Sequence, residues 1–205
     1  MRKGFCLASI LVLPSFFFST SVVASGYDYI FPVKDCKVTY SRYHHDYPAT
    51  DIFAKEGCLF VAPIGGVIDQ ISRRDTWSGS INSGQTRGGR FVSLVGDDGI
   101  RYYGSHLRSV EKMIREGERV EAGEILGEIG SSGSARGTSP HLHFGISWPT
   151  DDFEGEYPWW IRRGLINPYS FLKSWQSGKD LSPIKRVRLL REKTGGVITK
   201  PKGEK

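Results

Sequence analysis

The chemistry legible in this sequence rests on five histidines, His44, His45, His106, His141 and His143, and on one aspartate, Asp51. The tightest arrangement is Pro140-His141-Leu142-His143-Phe144, where Leu142, Phe144 and Ile146 alternate with the two histidines. A period of two predicts a strand. Side chains two apart on a strand leave the same face, with Cα atoms about 6–7 Å apart. Both imidazoles then point at one spot. Taken alone, the pair fits two solvent-facing histidines on a half-buried strand equally well, and the remaining histidines decide between the readings. His44 and His45 adjoin each other with Asp51 downstream, and His106 closes a β-like stretch.

Neutral imidazole and carboxylate suit Zn2+, and a catalytic zinc takes three protein ligands and leaves a position for water. Two histidines and Asp51 would supply that set. Water bound there becomes acidic enough to yield hydroxide near neutral pH and to attack an amide carbonyl. The imidazoles left over could move protons or hydrogen-bond the oxyanion. Other chemistries lack their signatures. The chain has no Gly-x-Ser-x-Gly elbow, no His-Glu-x-x-His helix, no phosphate loop and no dinucleotide fingerprint.

The elements that must hold these residues read as short strands. The chain has 205 residues, enough for one domain with tails, and 25 of them are glycine. That abundance predicts tight turns between strands and argues against a helix bundle. Strands are expected at 58–62 and 66–71, then a hairpin of 90–96 and 100–107 around Asp97-Asp98-Gly99, then short β segments over 120–129. One helical turn is expected at 111–115. A polar, glycine-rich loop spans 72–89, and a second small-residue loop, 131–139, leads into the His-x-His strand. Arg136 in that loop is a candidate contact for a carboxylated peptide. Asn167-Pro168 predicts a helix over 169–175, with Asn as N-cap and Pro at the first helical position.

Three segments differ in character. Residues 1–24 have a basic start, an uncharged apolar run and a small-residue end at Val22-Val23-Ala24, the layout of a signal peptide. Residues 25–178 form the expected folded domain. Residues 179–205 carry nine Lys or Arg against three acids and are expected to be a disordered basic tail able to contact an anionic surface. Cleavage after Ala24 removes Arg2 and Lys3 and takes the formal charge from +6 to +4, too little for a nucleic-acid footprint. It also leaves two cysteines, Cys36 and Cys58, which in an exported chain are expected to pair as a disulfide.

Taken together, His44 to Asp51, Tyr103-Gly104-Ser105-His106-Leu107 and His141-Leu142-His143-Phe144 resemble the lysostaphin/LytM-type zinc endopeptidases of peptidoglycan. The resemblance covers roughly residues 40–148. It implies a mainly β fold, a compact antiparallel sheet or sandwich with few short helices and a groove holding the metal. It implies that a histidine of the 44/45 pair, Asp51 and His143 bind one Zn2+, with His106 and His141 beside the metal in catalytic roles. The commoner family spacing is His-x-x-x-Asp, whereas here Asp51 follows His45 by six positions and His44 by seven. The longer form resembles a subset in which the first histidine is the ligand, which favours His44. The implied protein is a monomeric endopeptidase of the periplasm or cell exterior that acts on bacterial peptidoglycan and does not bind nucleic acid. A non-catalytic wall-binding module or activator of another hydrolase is the alternative.

Overall fold

Leu142, Phe144 and Ile146 are fully buried on one face of the strand that carries the histidine pair. This is the alternation that the sequence predicts. The computed structural model describes residues 26–45, 47–150 and 159–196, and among these the chain is mainly β, arranged as two antiparallel sheets.

The larger sheet is built on β2 (Thr50–Phe53), β4 (Gly66–Ser72), β5 (Phe91–Gly96), β6 (Arg101–Ser105), β8 (Arg119–Val120) and β10 (His141–Ser147). Its order is β2-β10-β6-β5-β4-β8. The smaller sheet holds β1 (Val33–Lys34), β3 (Leu59–Val61), β7 (Leu107–Val110) and β9 (Ile125–Ile129), in the order β1-β3-β9-β7. The two share one core that includes Phe60, Leu94, Tyr102, Leu107, Leu142 and Phe144. Close facing of the sheets is visible at Gly104, where a Cβ would run into the Phe60 ring. Cys36 and Cys58 meet with Cα atoms 6.0 Å apart, inside the range that a disulfide spans.

The expected strands and hairpin are present, with one informative difference. The second hairpin arm does not run on to Leu107. It stops at Ser105, and His106 turns the chain out of the larger sheet and into the smaller one as β7. His106 takes a left-handed backbone, φ 66°, a conformation that costs a non-glycine residue about 1–3 kcal/mol. The turn is held by its N–H donating to Gly88 O at 3.0 Å and by its carbonyl accepting from Ser132 N at 3.3 Å. The helical turn expected at 111–115 does not form.

Three helices complete the described residues: α1 (Trp159–Arg163), α2 (Tyr169–Gln176) and α3 (Ile184–Thr194). Asn167 caps α2 as expected, its Oδ1 accepting the Tyr169 N–H at 3.0 Å. The last helix differs from the expected disordered tail. Ile184, Val187 and Leu190 recur every three residues, and Val187 is buried in the core with the other two packed against it. Gly195, left-handed at φ 61°, ends the helix. High charge hid this apolar stripe, and Pro183 before it and Gly195-Gly196 after it are the start and stop signals that were overlooked. The folded part therefore runs past residue 178. The leader expected at 1–24 lies outside the described residues, as does the end of the tail. No helix among the described residues is long and apolar enough to cross a membrane.

Val187→Ala is expected to lower stability by about 2 kcal/mol and Tm by roughly 4–8 °C. Arg188→Ala, on the exposed side of α3, should stay within about 0.5 kcal/mol of wild type. Thermal melts of the two variants measure whether α3 belongs to the folded unit, and equal melting of Val187→Ala and wild type would show that it does not.

Candidate metal centre and its flanking histidines

The register of three neighbouring strands builds the site. β10 lies between β2 and β6, and His143 stands directly opposite Asp51 on one side and Ser105 on the other. One residue past Ser105 is His106. Strand pairing alone therefore brings Asp51, His143 and His106 to one end of the sheet, and the period of two adds His141. The segment before β2 curls over this end and supplies His44 and His45. All five histidines and Asp51 line a single cleft of about 240 Å3.

Among the described residues, His44, Asp51 and His143 offer one ligand atom each, and these atoms lie within 4.8 Å of one another. His143 Nδ1 is 2.9 Å from Asp51 Oδ1, and His44 Nε2 is 3.7 Å from Asp51 Oδ2. His45 is not part of the group. Its ring packs edge-on to His44, with centroids 4.4 Å apart, and it forms part of the cleft wall. Of the two adjoining histidines, His44 is the one within the group.

Hydrogen bonds to carbonyls fix which nitrogen faces the cleft, because a carbonyl only accepts. His44 Nδ1 lies 3.1 Å from Tyr47 O, His106 Nδ1 2.8 Å from Ser132 O, and His141 Nδ1 2.8 Å from Ser139 O. His106 and His141 thus donate from Nδ1 and keep the Nε2 lone pair, while His44 Nδ1 lies between the Tyr47 carbonyl and, at 3.4 Å, the Tyr47 N–H. His143 is turned the other way round, with Nδ1 toward the Asp51 carboxylate at 2.9 Å. A carboxylate only accepts, so without a metal Nδ1 carries the proton and donates to Asp51. Its Nε2 then accepts the Tyr47 O–H at 3.3 Å. With Nδ1 deprotonated, Nε2–H donates instead to the Arg163 carbonyl at 3.1 Å. Both neutral tautomers therefore have partners.

A metal ion held by Nδ1 and Asp51 would take the place of that shared proton, with Nε2–H donating to the Arg163 carbonyl. Burial, together with the charge of Arg163, lowers the pKa of His143 and disfavours the doubly protonated ring at neutral pH. Burial, with the neighbouring charge of His143, pushes His44 down to about 3. Burial works against the charged form of Asp51, but hydrogen bonding and charge from His143, with His44 and His141, outweigh it and keep the group a carboxylate. Two neutral imidazoles and one carboxylate converging on one point are the donor set of a divalent N/O metal site. His106 lies outside it, its ring 5.0 Å from that of His141 and 5.9 Å from that of His143. Burial, with the charges of Arg163, His143 and His141, keeps its pKa well below the usual histidine range.

This chain matches peptidase family M23 over residues 43–154, more than half of its length. It belongs to that family. Among M23 relatives, it is 29% identical over 133 residues to the L-Ala–D-Glu endopeptidase of Bacillus subtilis, an alignment covering 62% of this chain and 34% of that protein. Over 58 residues it is 43% identical to glycyl-glycine endopeptidase ALE-1 of Staphylococcus capitis, covering 28% of this chain and 15% of that one. The chain thus spans about a third or less of the length of these relatives. Its fold is similar to lysostaphin from Staphylococcus simulans, with TM-score 0.51 and 26% identity over 73% of this chain and 54% of that structure. The M23 fold matches the mainly β sandwich expected from the resemblance.

Several residues around the site were not read from the sequence. Tyr47 is buried, with its hydroxyl 3.3 Å from His143 Nε2. Arg163, at the end of α1, gives His143 its carbonyl partner and lines the cleft. Gly145 makes that approach possible, since a Cβ there would collide with the Arg163 carbonyl. The glycine two places after His143 was the available signal. Arg136 does not line the cleft. It pairs with Asp75 at 2.8 Å and lies over the Trp77 ring. Arg87 lines the cleft instead.

The pH dependence of stability follows from the depressed histidines. A folded-state pKa below the unfolded value of about 6.5 means that the unfolded chain binds more protons, so stability is full above that pH and is lost on acidification. For His44 the loss continues toward about 3. Asp51, low when folded, acts in the same sense at lower pH. Asp98, whose buried carboxyl is raised, acts in the opposite sense. The His44→Gln variant separates the two. Denaturant midpoints of the metal-free chain should fall between about pH 7.5 and about pH 5, and fall less steeply in His44→Gln. Parallel slopes would contradict the assignment.

Proposed function

We propose that this chain is an exported zinc-dependent endopeptidase that hydrolyses peptide bonds in the stem or cross-bridge of bacterial peptidoglycan. The observation that carries this reading is the convergence of His44, Asp51 and His143, each with a ligand atom within 4.8 Å of the others. Membership of the M23 family and the endopeptidase names of its relatives support it.

His44 through Nε2, Asp51 through its carboxylate and His143 through Nδ1 would hold one Zn2+. Bound there, zinc supplies Lewis acidity that polarises an amide carbonyl and brings the pKa of water toward neutrality. The Arg163 carbonyl and Tyr47 orient the His143 ring from its far side, and such partners are worth about 10–100-fold in metal affinity or activity. His106 and His141, each donating from Nδ1 to a backbone carbonyl, would present Nε2 to the substrate. There they accept a proton as the amide is attacked and return it to the leaving amine. A non-catalytic wall-binding module would need neither of these two histidines in the cleft.

The export reading draws on the leader at 1–24 and on Cys36 and Cys58, which we take to be disulfide-bonded, as the redox state outside the cytoplasm allows. The extracytoplasmic enzyme would act as a monomer on its polymeric substrate, and the basic α3 face would favour contact with anionic wall material.

Purified peptidoglycan incubated with the chain should release new amino termini, measured by mass spectrometry of the fragments. A chelator should abolish release, and stoichiometric Zn2+ should restore it. Asp51→Ala and His143→Ala should lose both the bound zinc and the activity. His106→Ala and His141→Ala should retain zinc but lose about 10^2–10^4-fold in rate. Chelator-resistant hydrolysis would exclude the metal mechanism.

A further inference from the structure

Beside the metal centre the cleft is lined by two arginines, Arg87 and Arg163, against a single carboxylate, Asp51. Asp51 is already engaged with His44 and His143. Other arginines of this domain have partners within the fold. Arg73 donates to the carbonyls of Val110, Glu111 and Ile114. Arg101 pairs with Asp69, Arg119 with Asp97 and Arg136 with Asp75. Arg87 Nε, like that of Arg162 and Arg163, is buried with no hydrogen-bond partner among the described residues, and Arg87 lines the cleft.

The backbone beneath Arg87 is held rigidly. A short 3-10 turn, Gly84–Thr86, leads into it. The Arg87 carbonyl accepts the Ser134 N–H at 2.8 Å, the Gly88 carbonyl accepts the His106 N–H at 3.0 Å, and the Arg90 N–H donates to Ser132 Oγ at 3.0 Å. Gly89 and Gly133, both left-handed, let the two loops touch, since a Cβ on either would collide with the backbone of the other. Arg87 is thus carried by the same loop pair that fixes His106. Fixed placement with an unmet donor is the state of a side chain waiting for a ligand.

We infer that Arg87, reinforced by the positive field of Arg163, reads a free carboxylate on the substrate next to the amide that is cut. A guanidinium presents a planar fork that matches a carboxylate. Two arginines beside a divalent metal leave the cleft with excess positive charge, which an anionic substrate group offsets. The inference rests on the peptidase reading and narrows it. The favoured substrate is a peptide whose scissile amide is flanked by a residue with an unblocked carboxylate, in preference to an uncharged glycyl run.

The test uses the full chain with Zn2+ and two synthetic peptides that are identical except for a carboxylate or a carboxamide on the residue after the scissile amide. Affinity is measured by calorimetry, and cleavage by chromatography. Wild type should favour the carboxylate peptide by at least about tenfold, because a site built for a polar group discriminates strongly against its absence. Arg87→Gln should bring the two peptides within about twofold of each other, and Arg87→Lys should keep an intermediate preference. Equal affinity of wild type for both peptides, or no measurable binding of the carboxylate peptide, would overturn the inference. So would an equal loss for both in Arg87→Gln. Selective binding without cleavage of either peptide would sustain the anion subsite and overturn the hydrolase reading.

Discussion

One contact organises this molecule: Nδ1 of His143 against the carboxylate of Asp51, opposite each other across the β2–β10 ladder. Strand register sets the two face to face, because β10 is locked on its far edge to β6. A slip of one residue would turn His143 into the core and Leu142 into the cleft. The alternation of apolar and histidine residues thus fixes the register, and the register fixes the electrostatics. Packing of Leu142, Phe144 and Ile146 into the core fixes the strand that keeps the two groups together.

The surrounding residues serve that arrangement from different parts of the chain. α1 delivers the Arg163 carbonyl to the far nitrogen of His143, and Gly145 clears its path. The loops at 84–90 and 131–139 brace each other and hold the His106 corner. Burial keeps His44 and His106 neutral, so they are lone-pair donors at physiological pH. The imidazoles of His44, His106, His141 and His143 each meet a carbonyl from a loop or a helix end.

Much of this was readable from residue order. The period of two at 141–147 announced β10, Asp97-Asp98-Gly99 announced the hairpin, and Asn167-Pro168 announced the cap of α2. The five histidines and Asp51, which line one cleft, stood out by residue type and spacing. What escaped was set by contacts between distant segments. Tyr47 and Arg163 have ordinary local contexts, and only folding brings them to His143. The turn at His106 breaks an apolar run that reads as continuous strand, because the change of sheet is imposed by the facing layer. α3 was hidden by its charge, since three apolar residues among many basic ones are enough to dock a helix on a core that already exists.

The left-handed corner at His106 ties the cleft to the fold as a whole. That backbone conformation is braced by both layers and by both loops. The His106 imidazole therefore takes its place in the cleft only as the two sheets and the two loops come together. A chain lacking any of them would carry all five histidines without the arrangement that brings them to one wall.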